Sequence, residues 1–231
     1  MAASDGARLF VGARVSMATI GELGGTAEML ERRAQQAGLR VRWVAPASYH
    51  VTLKFIGWTR RDAIAAIGDA IARAIATDKI PPFAFRTARL GAFPSADKAS
   101  VVWAGVSDKS GAAPAELGAL ARAIDRELEA VGVPREKRAF HGHVTLGRLR
   151  DPIDVSQVLL PFAEQVFSET RLTEVVLFES LTKSTGSEYS VVRREPLFRA
   201  ENEPKRQSRD VEPTPLDASD DGWDRDPERR S

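Results

Sequence analysis

Between residues 8 and 199 the chain alternates short stretches of two-residue apolar period with longer stretches of helical period. Arg8 to Arg14 sets Leu9, Val11 and Ala13 on one side, as a half-buried strand does. Leu23 to Ala37 is helical in pattern, and Gly38 stands where a C-terminal cap is expected. Val41 to Val44 and His50 to Ile56 read as strands. Thr59 is expected to cap the next helix, with Asp62 in its first turn and Ile64, Ile67, Ile71 and Ile75 along one face. Phe83 to Leu90 and Ser100 to Gly105 are strand-like, on either side of a loop at Phe93-Pro94-Ser95. Leu117, Leu120, Ile124, Leu128 and Val131 mark a further helix, closed by Gly132 and Pro134. Val155 to Phe162 reads as a short helix interrupted near Pro161, and Thr173 to Glu179 and Tyr189 to Arg194 follow as strands.

This order predicts an α+β fold of two pseudo-symmetric lobes, each an antiparallel sheet with helices on its outer face. Residues 1–199 are expected to form that bilobal domain. Residues 200–231 contain Pro204, Pro213, Pro215 and Pro227 with little that is apolar, and are expected to be a disordered charged tail.

Composition narrows the chemistry. The chain has no cysteine, which excludes disulfides, thiolate nucleophiles and Cys-based zinc sites. No signal peptide or membrane-length apolar run is evident, so a cytoplasmic monomer that makes no membrane contact is expected. The overall charge of +1 conceals an asymmetry: residues 200–231 hold ten acidic and six basic residues, and the rest hold 27 basic and 22 acidic. A mildly basic body suits a polyanionic ligand.

One four-residue word recurs. His50-Val51-Thr52-Leu53 returns as His143-Val144-Thr145-Leu146, using two of the chain's three histidines. On a strand, His50 and Thr52 share one face, while Val51, Leu53 and Phe55 share the other; the second copy alternates likewise. A single His-x-Thr arises by chance, but two copies point to a paired site. An imidazole titrates near neutrality, so one can take a proton from water while the other gives one to a leaving oxygen. Thr52 and Thr145 can hydrogen-bond non-bridging phosphate oxygens, and Arg148, at the end of the second strand, can clamp them. No metal or other cofactor is required by this scheme. Which histidine is acid and which is base stays open at this level.

Other candidates are weaker. His141-Gly142-His143 invites a metal reading, but zinc needs three or four ligands and no acid or cysteine stands nearby at a suitable spacing. His141 is better read as a polar residue at the groove mouth. Lys54 shares the His50 face in ideal alternation and could reach phosphate; the alternative is an exposed lysine near a strand end. Phe140 and Tyr189 are candidates to stack on a base, or packing residues.

These motifs resemble the paired His-x-Thr/Ser-x signature of the 2H phosphoesterase superfamily, and within it the RNA 2′,3′-cyclic phosphodiesterases, first named 2′–5′ RNA ligases. The likeness spreads over Arg8-Leu9-Phe10-Val11-Gly12, Arg42-Trp43-Val44, the His50–Gly57 block, Leu90-Gly91-Ala92-Phe93-Pro94, Val102–Val106 and Phe140–Arg148. It implies an active-site groove between the lobes and metal-free hydrolysis of RNA 2′,3′-cyclic phosphate ends to 2′-phosphates. It also implies His50 as proton donor, His143 as proton acceptor, and Thr52, Thr145 and Arg148 as phosphate ligands. Alternatives within the superfamily are 2′–5′ phosphodiester cleavage or ligation and turnover of a small cyclic nucleotide; outside it, a non-catalytic RNA-end binder. Where the family often has proline before the second histidine, this chain has Gly142, expected to loosen that strand's entry.

Overall fold

The computed structural model describes residues 5–183 and 186–199. The charged tail expected over 200–231 lies outside them. In chain order the elements are β1 (Gly6–Arg14), α1 (Met17–Gln36), β2 (Arg42–Trp43), β3 (His50–Arg60), α2 (Ile64–Thr77), β4 (Phe83–Phe93) and β5 (Ala99–Ser107). Then come α3 (Ala115–Glu129), β6 (His143–Ile153), α4 (Ser156–Leu159), β7 (Val166–Leu172), β8 (Glu174–Lys183) and β9 (Gly186–Pro196).

The strands run in the order β7-β4-β5-β6-β3-β1-β8-β9, with the short β2 on β6. Every pairing is antiparallel. The two central strands, β3 and β6, pair at one position, Val51 with Val144, and both valines are fully buried. Two eleven-residue strands that meet once must cross at an angle, so the sheet parts at that point into a half of four strands and a half of five that includes the short β2.

The halves are the two lobes, but they exchange chain. One takes β1, β3, β8 and β9 from the two ends of the domain, and the other takes β4 to β7 from its middle together with β2. The helices cross as well. α2 and α3 pack together over the first lobe, touching β9 and β3, while α1 follows a strand of the first lobe yet packs on β7 of the second. Their apolar faces are those the sequence predicts: Ile67, Ile71 and Ile75 on α2, and Leu117, Leu120, Ile124 and Leu128 on α3, are buried.

Three local expectations need correction or extension. Thr59 lies inside β3 and caps nothing; α2 begins after a 3-10 turn at Arg61–Ala63 and has no side-chain cap. Helix α1 starts at Met17, well before the apolar stripe, because the Ser16 hydroxyl accepts a hydrogen bond from the Thr19 amide. It ends as expected at Gly38 (φ 73°), where the Leu39 amide reaches back to the Ala34 carbonyl. Strand β7 has no apolar alternation to reveal it, since its buried Thr170 is used to accept the Ser16 amide through its hydroxyl.

Lys54 is the larger correction. Against β1, β3 slips register between Val11/Gly12, so Leu53 forms a bulge and ideal alternation fails there. Lys54 turns inward to 5% exposure, donating to Asp125 Oδ1 on α3 at 2.5 Å and to the Pro134 carbonyl at 2.6 Å. It is neither a phosphate ligand nor an exposed lysine. Burial pushes the Asp125 carboxyl up, but Lys54, the Glu136 amide and Arg135 together outweigh it and hold the group below the usual carboxylate range.

Lys54→Met, which keeps the bulk and removes the charge, is expected to cost about 3 kcal/mol, read as a lower urea midpoint at unchanged m-value. Because Asp125 is depressed in the folded state, the pair's contribution is present at neutral pH and fades as pH falls from about 3.8. An unshifted midpoint at pH 7 would show that the pair does not hold the helix to the strand.

Candidate functional site

The two tetrads meet at the strand crossing. Antiparallel pairing at Val51 and Val144 sets Thr52 on the His143 side of the crossing and His50 on the Thr145 side. His50, Thr52, Thr145, Arg148 and Tyr189 line a cleft of about 410 Å³ together with Arg8, Phe10, Val44, Ser48, Phe55 and Trp58. His143 stands beside this cleft, on the side of the second lobe, with its ring 5.0 Å from Phe93 and 6.3 Å from Trp103.

Both imidazoles are held in the same way. His50 Nδ1 donates to the Ser48 carbonyl at 2.8 Å, and His143 Nδ1 donates to the His141 carbonyl at 2.7 Å. Each bond runs two residues back along the chain, fixes the ring plane and leaves Nε2 without the ring proton. The Thr52 hydroxyl donates to His50 Nε2 at 3.1 Å. Room for the His50 ring comes from Gly12, where a Cβ would lie 3.3 Å from it and 3.2 Å from Phe178. Phe10 (4.8 Å) and Tyr189 (5.1 Å, edge-on) complete its wall.

The pKa of His50 is lowered, first by burial, against its carbonyl bond, and further by the charges of His143 and Arg148. That of His143 is lowered as well, again first by burial and then by His141 and Arg148. Both shifts favour the neutral imidazole.

A second bulge explains Arg148. Strand β6 slips against β5 between Val102/Trp103, leaving Leu146 without an opposite partner. That is the fourth residue of its tetrad, the same place as the Leu53 bulge on β3. In both strands the two residues after threonine turn inward and the next side chain returns to the cleft: Phe55 on one lobe, Arg148 on the other. The sequence reading, which put Phe55 on the apolar face by simple alternation, is overturned by the bulge. Phe55 is 65% exposed, and Trp58, beyond Gly57 (φ 89°), is 67% exposed. These two aromatics were missed; the signal available was Gly57 between large aromatics on an otherwise alternating strand.

His141 and Phe140 go elsewhere. They line a second groove of about 1260 Å³ that contains none of the cleft's polar residues. The His141 ring packs edge-on against Phe93 and Trp103, while its carbonyl positions His143. Gly142 has a packing role as well: a Cβ there would come within 2.5 Å of the Val106 side chain on β5. Among the described residues no three His, Asp or Glu side chains gather as metal ligands.

Residues 27–183 match the model of the 2′-5′ RNA ligase superfamily. The chain belongs to that superfamily. It is 30% identical over 171 residues to the RNA 2′,3′-cyclic phosphodiesterase of Aquifex aeolicus, covering 71% of this chain and 87% of that one. It is 34% identical over 113 residues to the protein of the same name from Aeropyrum pernix, a match spanning 49% of this chain and 60% of the relative. In fold it resembles E. coli LigT (TM-score 0.61, 20% identity, 85% of this chain and 100% of the other). It also resembles TT0787 of Thermus thermophilus (TM-score 0.62, 21% identity, 82% and 97%).

Imidazole ¹⁵N spectra at pH 7 are expected to show the proton of His50 and of His143 on Nδ1, with each ring titrating below 6.5. Since the folded rings bind fewer protons than unfolded ones, stability should decline as pH drops from 6.5 through the lowered folded values. Either ring titrating above 6.5 would contradict the burial that governs them.

Proposed function

We propose that the chain hydrolyses RNA 2′,3′-cyclic phosphate termini to 2′-phosphomonoesters by two-histidine acid–base catalysis without a metal. The observation that carries this reading is the pair of Nδ1-anchored imidazoles on opposite sides of one strand crossing, with Thr52, Thr145 and Arg148 lining the cleft there. The names of the Aquifex and Aeropyrum relatives support it, as does the solved complex of LigT with 3′-AMP. The cytoplasmic, monomeric setting expected from the sequence goes with the same reading.

His143 Nε2 removes a proton from water as its oxygen bonds to phosphorus, and the bond from phosphorus to the 3′ oxygen breaks in line. Protonated His50 Nε2 gives its proton to that departing oxygen, leaving the phosphate on the 2′ oxygen. Thr52, Thr145 and Arg148 hold the non-bridging oxygens as their charge grows. In the free protein the Thr52 hydroxyl occupies His50 Nε2. A bound phosphodiester supplies the negative charge that favours His50 in its protonated form and offers the hydroxyl a new acceptor. Phe55 and Trp58, rigid and exposed on the cleft wall, present faces on which the terminal base stacks.

The test is turnover, in EDTA, of a short RNA ending in 2′,3′-cyclic phosphate. The expected product is the 2′-phosphate, with His50→Ala and His143→Ala each slower by roughly a hundredfold or more. Recovery of an EDTA-inert enzyme by zinc would overturn the scheme, and binding without turnover would favour the end-binding module. Phe55→Ala and Trp58→Ala are expected to raise KM about tenfold each and leave kcat within about threefold, the pattern of lost stacking. A fall in kcat alone would remove them from base binding.

A further inference from the structure

The two cavities differ in character. The cleft at the crossing carries aromatics; the larger groove beside it carries charge. Eight lysines and arginines line that groove against four acids, in a chain whose formal charge is only +1. Half of those cations are held by acids: Lys54 and Arg135 by Asp125, Arg89 by Glu164, and Arg86 by Glu169. Lys109, Arg122, Lys137 and Arg138 are exposed and make no ion pair among the described residues. Asp108, the acid next to Lys109 in sequence, is turned back on the amides of Ser110 and Ala112.

One end of the groove lies near His143. Trp103 and His141 line its near end, 5.6 Å apart, and each packs close to His143. A strand whose last phosphate lies at the crossing would enter the groove past the Trp103 and His141 rings. The groove's volume is about three times that of the cleft.

We infer that this groove is a binding track for the single-stranded RNA leading to the reactive end, so that the protein takes polymer ends in preference to cyclic mononucleotides. The inference rests on the proposed function, but it concerns length selectivity, which the paired tetrads do not determine. Cations with no ion pair draw a phosphate chain by releasing its counterions, and that attraction is absent for a mononucleotide that stays in the cleft. Each single-strand phosphate contact adds about −0.7 to the slope of log affinity against log salt, so three contacts give about −2.

The experiment compares a 2′,3′-cyclic mononucleotide with an RNA of about ten nucleotides carrying the same end, between about 50 and 200 mM salt. Wild type and the triple variant Arg122→Glu, Lys137→Glu, Arg138→Glu are measured on both. Wild type should show a KM at least about tenfold lower for the RNA, with 1/KM falling at a slope near −2, and near zero for the mononucleotide. The triple variant should raise the RNA's KM by about tenfold or more and leave the mononucleotide within about twofold, which also reports that it is folded. Equal KM values in wild type, or equal responses of both substrates to the variant, overturn the inference. If wild type turns over neither, the proposed reaction fails. Fluorescence anisotropy with the same RNA ending in a 3′-phosphate then still decides the groove: wild type must bind it at least about tenfold more tightly than the triple variant, with the same salt slope.

Discussion

The cleft depends on one backbone contact, the pairing of Val51 with Val144. Had β3 and β6 paired along their whole lengths, His50, Thr52, His143 and Thr145 would lie across an even sheet. A single fully buried pair forces the strands to cross and part, and the parting opens the space. The antiparallel sense of the same pair sets Thr52 toward the His143 side and His50 toward the Thr145 side. The site's near-twofold symmetry is thus a property of the backbone, and, of the helices, α3 packs on a strand of the crossing, β3.

On this symmetric frame the side chains differ. The leucine that ends each tetrad bulges, and the third residue beyond each threonine returns to the cleft: Phe55 in the first lobe and Arg148 in the second. The residue before it is Lys54 in one copy, locked to Asp125, and Gly147 in the other. The same geometric device therefore presents an aromatic face on one wall and a guanidinium on the opposite one. A nucleotide has those two needs, a flat base and an anionic phosphate, and a duplicated scaffold meets both by varying a single position.

The sequence made the tetrads, the helical stripes and the caps at Gly38 and Gly132 legible, because each is a local pattern with a local cause. It also carried His50, His143, Thr52, Thr145, Arg148 and Tyr189 as candidates, and the fold brings all but His143 into one cleft lining, with His143 at its flank. Lys54 and Phe55 were misplaced for one shared reason: a bulge depends on the partner strand, and alternation counted along one strand has no knowledge of it. The exchange of strands between lobes was hidden too, since it is settled by pairings far apart in the chain. β7 was invisible because Thr170 does there what an apolar residue usually does, while its hydroxyl serves the start of α1.

Burial of both histidines looks at first like a handicap for a reaction that needs one of them protonated. Desolvation, the partner ring and Arg148 all oppose positive charge on His50, and desolvation, His141 and Arg148 oppose it on His143. The same opposition makes double protonation the least favourable state of all, because the two rings repel when both are charged. A phosphodiester brings one negative charge into the cleft, enough to compensate one imidazolium beside an arginine but not two. In the proposed scheme the bound phosphodiester then favours one imidazolium, His50, with His143 neutral, which is the state an acid and base acting together require. For the proposed reaction, the lowered pKa values are what couples the arrival of substrate to the charging of the acid.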